Sequence, residues 1–224
     1  ILREKIHMFD GYSRAWPKVF FGEYSYGGDK QDFGTLRAAV ADAAFLMGLE
    51  RNADIVTMTA YAPLFCHVNF RNWKPNLIYF DAARSCGSPS YYMQKMFAHN
   101  RPDVLLPAAV RNCPQMEIPK PRPKQPKTID ALIVNAGKTD GGDVVLKVLN
   151  PSDKPIEAEV RLVGVEKAGN GKVWMLTSGS PEDVNSLEEP EKITPKEEAF
   201  DVAGLVFRRS FPAYSVSLLR VPAK

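Results

Sequence analysis

The sequence has 224 residues, 45% apolar and 25% charged, a composition that is ordinary for a folded soluble protein of one or two domains. The formal net charge is only +3, so neither a nucleic-acid nor a membrane partner is predicted. No apolar run approaches the roughly eighteen residues that a membrane-spanning helix needs.

The cysteine pattern and the first residues restrict the possible kinds of protein further. Cys66, Cys86 and Cys113 are an odd number without CxxC spacing, which disfavours a disulfide framework and a zinc site. A single bridge stays open, but three unpaired thiols are the favoured interpretation. The start at Ile1 has neither an initiator Met nor signal-peptide features, which indicates a portion of a longer protein.

The first half of the chain alternates strand and helix patterns. The apolar run Lys18–Phe21 predicts a buried strand, and residues 32–52 predict a helix because apolar residues recur at three- and four-residue steps. Residues 55–60 and 77–80 predict two more strands, and residues 90–99 a second helix. This order is typical of parallel β/α units.

The second half is rich in short strands. Residues 128–134 and 144–149 predict a hairpin, and further strands are expected at 156–162, 173–176 and 215–219. Such strands with turns between them indicate an antiparallel sandwich. The proline-rich residues 114–127 are interpreted as a stiff, solvated loop rather than an interaction motif. We therefore divide the chain into residues 1–102 (α/β) and 103–224 (all-β).

Glu23 is the first candidate for chemistry. It follows a buried apolar strand, and in parallel β/α folds catalytic side chains project from the carboxyl ends of the strands. The alternative is a carboxylate that only closes the strand or pairs with a lysine. The local pattern leaves both interpretations open.

Longer segments resemble glycoside hydrolase family 51, the α-L-arabinofuranosidases. The resemblance extends over nearly the whole chain, with the segments in the same order and at the family's spacing. They are Lys18–Tyr24, Gly34–Asn52, Tyr61–Phe65, Trp73–Phe80, Gly87–Lys95 and Leu176–Ile193.

The resemblance implies a fold and a reaction. The fold would be the last two β/α units of a (β/α)8 TIM barrel followed by a jelly-roll-like antiparallel β-sandwich. Glu23 would be the nucleophile of a retaining hydrolysis, at the end of barrel strand seven. The family's acid/base lies in an Asn-Glu pair on an earlier strand, and no such pair occurs in this sequence. The chain by itself is therefore expected to be inactive.

The resemblance also implies substrate-binding residues. Trp73 and Asn76 would lie near the sugar in the loop after strand eight, and Tyr24 would flank the nucleophile. Loop packing, a turn amide and core packing are the respective alternatives. His67 is interpreted as a packing or pocket-wall residue, because the adjacent Cys66 would point to the opposite face of an extended segment. No metal and no organic cofactor is expected.

The expected function of the parent protein is the release of terminal α-L-arabinofuranosyl groups from arabinoxylan, arabinan or their oligosaccharides. A non-catalytic carbohydrate-binding or structural module is the alternative, and a different retaining glycosidase is a third interpretation. Unpaired strand edges predict that the isolated chain needs the remainder of its barrel or forms a homo-oligomer. The family resemblance favours a secreted or periplasmic parent, although the compartment stays open.

Overall fold

The structure is a computed structural model that describes residues 6–26, 34–71, 76–118, 128–202 and 204–224. Its two principal helices are α1 (Leu36–Arg51) and α2 (Pro89–His99). The strands, in chain order, are β1 (Val19–Tyr24), β2 (Val56–Tyr61), β3 (Phe65–His67), β4 (Ile78–Phe80), β5 (Ser85–Gly87), β6 (Val104–Leu106), β7 (Gln115–Glu117), β8 (Thr128–Asp130), β9 (Ile133–Lys138), β10 (Asp143–Asn150), β11 (Ile156–Arg161), β12 (Gly171–Leu176), β13 (Lys196–Phe200), β14 (Val206–Phe211) and β15 (Ser215–Pro222).

The first unit is a β/α/β crossover. β1 and β2 pair in parallel, and α1 connects them, as a parallel pair requires. The Thr35 hydroxyl caps α1 by accepting a hydrogen bond from the Ala38 N–H at 3.3 Å. The apolar side chains of α1 are nearly all buried, in accordance with the predicted helix. Within the described ranges, no helix is long and apolar enough to cross a membrane.

A small sheet connects this unit to α2. β3 pairs in parallel with β4, and β4 pairs antiparallel with β5. Pro89 occupies the first turn of α2, and the Ser88 hydroxyl caps the helix by accepting from the Tyr91 N–H at 3.3 Å. The predicted helix 90–99 and the predicted strand 77–80 are both present.

The second half is a sandwich-like β domain. Its main sheet has the strand order β13-β12-β15-β10-β9-β6, and β11 pairs with β14 in a second sheet. The β9–β10 hairpin is antiparallel, as predicted. Between the two sheets lies an apolar core that includes Val173, Phe207, Phe211, Leu219 and Val221.

Helices and sandwich share a second core. Leu36, Val40 and Met47 of α1 pack with Met93 of α2 and with Leu218 of β15, all of them nearly inaccessible to solvent. The two halves of the chain are therefore joined through a continuous apolar contact rather than through a solvated linker. The greater part of the proline-rich stretch, residues 119–127, lies outside the described residues.

One predicted strand is divided. Residues 128–134 were expected to be continuous, but β8 ends at Asp130 and β9 begins at Ile133. At the break the Ala131 N–H donates to the Pro114 carbonyl at 2.8 Å. The Leu132 N–H donates to the Cys113 sulfur at 3.3 Å. The chain changes partner here, from β7 to β10, and a hydropathy pattern does not reveal such a change.

Candidate active site

Glu23 lies at the carboxyl end of β1, and its side chain is exposed. The next residue, Tyr24, is 5% exposed and packs against α1. The pairing of β1 with β2 is irregular between Phe21 and Tyr24, and beyond this irregularity the exposed Glu23 faces away from the buried Tyr24 and hence from α1. Among the described residues, no hydrogen bond or ion pair engages its carboxylate.

Two large apolar side chains are exposed on the same pair of strands as Glu23. Phe20 and Met58 are paired in register on β1 and β2, and they are 59% and 61% exposed. We call the surface formed by Phe20, Glu23 and Met58 the open face. Large apolar side chains at this exposure are expected to be covered by further protein.

A layer of tyrosines lies behind Glu23, towards α1. The rings of Tyr24 and Tyr61 meet edge to face at 5.3 Å, and Tyr24 lies 5.3 Å from the ring of Phe45. Tyr24 and Tyr61 are register partners, and the Ala62 N–H donates to the Tyr24 carbonyl at 3.1 Å. This layer fixes the strand ends that border Glu23.

The two tyrosine hydroxyls are held in the neutral form. Burial raises the pKa of Tyr24 far above its ordinary value of 10.0, and the nearby Asp42 carboxylate raises it further. Burial likewise raises the pKa of Tyr61, with further contributions from Asp42 and from the neighbouring tyrosines. Both hydroxyls therefore stay protonated at neutral pH.

The structure places the predicted substrate-binding residues Tyr24 and Asn76 in different surroundings. Tyr24 faces the layer behind Glu23, where it can support the strand more readily than touch a sugar. Asn76, just before β4, is 2% exposed. Trp73 lies outside the described residues, so its sugar contact stays a prediction, as does that of Asn76.

The cysteines are unpaired, as favoured above. Cys66 and Cys86 flank Tyr79 on adjacent strands, one on either side, which keeps the two sulfurs apart. Burial raises the pKa of the Cys86 thiol. His67 packs between the rings of Phe70 and Phe80, both at 5.2 Å, which confirms the packing interpretation.

A separate cleft lies beside the β4–β5 hairpin. Its volume is about 330 Å³, and it is lined by Ile78, Ser85, Cys86, Gly87, Tyr91, Tyr92, Pro190 and Glu191. Neither Glu23 nor Asn76 contributes to this lining. The cleft is therefore distinct from the open face.

Sequence reasoning missed the group beneath the tyrosines. Asp42 lies in the middle of α1 and is 3% exposed, and Ser90 of α2 is 2% exposed. The Ser90 hydroxyl donates to Asp42 Oδ2 at 2.7 Å. A signal was present in the sequence, since Asp42 is the only ionisable residue between Ala38 and Leu49. A lone carboxylate in an apolar helix usually has a specific partner.

Known proteins resemble this chain along most of its length. A family model described as the α-L-arabinofuranosidase C-terminal domain matches residues 17–215. Alpha-L-arabinofuranosidase 1 of Arabidopsis thaliana is 33% identical over 228 residues, which cover 97% of this chain and 31% of the relative. Probable alpha-L-arabinofuranosidase A of Aspergillus terreus is 31% identical, again over 97% of this chain and 31% of the relative.

Solved structures agree with these sequence matches. An arabinose-bound α-L-arabinofuranosidase of family GH51 superposes with a TM-score of 0.84 and 28% identity, covering 100% of this chain and 35% of its own. The arabinose complex of the α-L-arabinofuranosidase from Thermotoga maritima has a TM-score of 0.73 at 18% identity, covering 91% of this chain and 42% of its own. At this identity the likeness supports a shared fold only. The chain spans about 31% of the length of the curated relatives named above.

Proposed function

Because the chain belongs to the α-L-arabinofuranosidase C-terminal domain family of GH51, we propose that it is the C-terminal portion of a retaining glycoside hydrolase. The parent protein removes terminal α-L-arabinofuranosyl groups from arabinoxylan, arabinan or related oligosaccharides. Residues 1–102 complete its catalytic barrel, and residues 103–224 form the sandwich. Glu23 is the nucleophile.

The barrel assignment is supported by the β1–α1–β2 unit and its open face. In a (β/α)8 barrel the helices cover the outside of the strands, and the inward side chains fill the interior. Here α1 covers one side of β1 and β2, whereas Phe20 and Met58 on the other side are exposed. The remaining strands of the parent would enclose those side chains.

The chemistry assigned to Glu23 follows from its position. Attack on the anomeric carbon needs an ionised, accessible carboxylate at the catalytic rim, and the carboxyl end of a barrel strand supplies that place. A second carboxyl about 5 Å away must protonate the leaving oxygen and then activate water. That group comes from the part of the parent upstream of residue 1, since the expected Asn-Glu pair is absent from these 224 residues.

The observation that carries the proposal is the exposed Glu23 carboxylate at the end of a parallel strand, beside the ring contact of the buried Tyr24 with Tyr61. The sandwich supports this arrangement indirectly. It packs against α1 and α2, the two helices that follow β1 and β2. Its role is to brace the barrel rather than to contribute reacting groups.

The test is turnover of an aryl α-L-arabinofuranoside by the full-length protein carrying Glu23→Gln. We expect kcat to fall by at least a thousandfold, because an amide cannot form the glycosyl ester. Glu157→Gln, on the exposed side of β11, is the matched control and should retain full activity.

Two other results would redirect the assignment. A Glu23→Gln protein that keeps its turnover but binds arabinose oligosaccharides less tightly would indicate a binding module. Turnover restricted to a different sugar in a panel of aryl glycosides would keep the role of Glu23 but change the substrate.

A further inference from the structure

Asp42 is a buried carboxylate that has no part in the hydrolysis proposed above. Asp42 lies on the fully covered side of α1, with Ala39, Ala43 and Phe45 as buried neighbours along the helix. Removing a carboxylate from water is unfavourable unless hydrogen bonds or positive charge compensate it. The buried Asp42 carboxylate therefore needs a polar contact that an apolar side chain could not make.

Asp42 joins the two helices through Ser90. The Ser90 hydroxyl donates to Asp42 Oδ2 at 2.7 Å. The Ser90 side chain and the Asp42 carboxylate both lie near the Tyr61 hydroxyl at the end of β2. Asp42 thus anchors α1 to the first turn of α2, beneath that strand end.

The location of Ser90 strengthens the anchor. Ser90 lies in the first turn of α2, where unpaired backbone N–H groups give the helix end a partial positive charge. The Asp42 carboxylate accepts its hydrogen bond at this positive end of the helix. The Tyr24 hydroxyl lies near the same carboxylate.

The geometry connects this anchor to the proposed nucleophile. Tyr24 follows Glu23 directly, stacks edge to face on Tyr61 and is covered by Phe45. A shift of the Tyr24 side chain would move the backbone that carries the Glu23 carboxylate. Displacements of about 1 Å in a reacting group can lower a rate by about a hundredfold.

We propose that Asp42 is a positioning residue for glycoside hydrolysis, which fixes α1 against α2 through Ser90, beneath Tyr24 and Tyr61, and so holds the Glu23 carboxylate beneath the anomeric carbon. This inference rests on the proposed function. It assigns Asp42 no contact with the sugar. The expected signature is a loss of kcat with little change in KM, because the sugar-binding groups stay in place.

The test uses the full-length protein with Asp42→Ala, Asp42→Asn and Ser90→Ala, each assayed well below its own melting temperature and corrected for the folded fraction. We expect Asp42→Ala to lower kcat at least tenfold while KM changes less than twofold. Asp42→Asn keeps the shape and one acceptor for Ser90, so it should recover part of the loss. Ser90→Ala should act in the same direction by a smaller factor.

Leu176→Ala separates positioning from general destabilisation. Leu176 is fully buried in the sandwich part of the shared core, far along the chain from the tyrosine layer, so this variant should lower the melting temperature but leave kcat per folded molecule unchanged. The inference would be overturned if Asp42→Ala had the same kcat per folded molecule as the full-length protein without the substitution. Glu23→Gln in the same assay tests the proposed function separately: if it is inactive while Asp42→Ala is normal, only the positioning role fails.

Discussion

The ammonium of Lys147 on β10 forms an ion pair with the carboxylate of Glu50 in the last turn of α1, and so ties the sandwich to the helix. The Lys147 side chain is 3% exposed and that of Glu50 18%. Lys147 Nζ also lies 4.4 Å above the ring of Phe97, and Asn135 Nδ2 donates to Glu50 Oε2 at 3.2 Å. Burial lowers the pKa of Lys147, although Glu50 opposes that change.

The two members of this pair should respond differently to mutation. Glu50→Gln leaves a buried ammonium without its counter-ion, so we expect the free energy of unfolding to fall by about 3 kcal/mol. Lys147→Met leaves Glu50 with the Asn135 amide and partial solvent contact, and should cost about 1 kcal/mol. Urea unfolding of the full-length variants measures both. A larger loss for Lys147→Met would contradict this asymmetry.

The ionised Asp10 carboxylate is expected to stabilise the fold, and this stabilisation should be lost at low pH. Although desolvation raises the pKa of Asp10, hydrogen bonds from Asn52, His7 and Arg51 lower it to about 2. Because the folded value lies below the ordinary 3.8, the stabilisation is complete above about pH 3.8 and is lost as the pH falls through 2.

We therefore expect the free energy of unfolding of Asp10→Asn at pH 7 to be about 1 kcal/mol lower than that of the unsubstituted protein. Solvent screening keeps this difference small. The difference in melting temperature should disappear near pH 2. A difference that stayed constant between pH 7 and pH 2 would show that the charge of Asp10 is not responsible.

Gly48 should not tolerate a side chain. A Cβ there would collide with the backbone of Ile6, which crosses α1 at this residue. Alanine normally favours a helix over glycine, but here we expect Gly48→Ala to destabilise the protein by about 1–3 kcal/mol. Gly141→Ala, whose new methyl would meet only Thr139 Oγ1 at 3.7 Å, is the control and should be nearly neutral in the same melts.

Much of the first half could be predicted from the sequence because its signals are local. The apolar steps from Leu36 to Met47 predict α1 directly, but the predicted start at residue 32 was too early, because Thr35 caps the helix and α1 begins at Leu36. The strands of the sandwich were harder to predict from the sequence. β13 carries polar residues whose role depends on another strand: Glu197 accepts from Lys172 at 2.7 Å and from Trp174 at 2.9 Å. Such cross-strand pairs have no signature in one segment.

The candidate site was only partly predictable, because only some of its signals are local in the sequence. The local pattern made Glu23 a candidate, and the family resemblance added the role of nucleophile. The prediction of a buried strand before Glu23 was wrong, because Phe20 of β1 is 59% exposed and faces away from α1. Asp42 and Ser90 were missed because they are 48 residues apart and meet only when α1 packs on α2. Asn76 was expected near the sugar, yet its burial depends on surroundings that the sequence does not specify.

The open face predicts self-association of the isolated 224-residue chain. Phe20 and Met58 are exposed, and β1 and β2 pair only with each other among the described strands. Light scattering should detect dimers or larger species, and the double variant Phe20→Ser, Met58→Ser should reduce their fraction. Val163→Ser, which removes an 84% exposed side chain from the sandwich, should not. A monodisperse monomer would refute this prediction.

The most direct test of the nucleophile is azide rescue of the full-length protein carrying Glu23→Ala, with an aryl α-L-arabinofuranoside that has a good leaving group. Azide should enter the space left by the carboxylate and attack the anomeric carbon from the same side. We predict that azide restores turnover of the inactive variant and that the product is the β-L-arabinofuranosyl azide, identified by NMR. Substantial hydrolysis by Glu23→Ala without azide would contradict the assignment of Glu23, as would an azide product of α configuration.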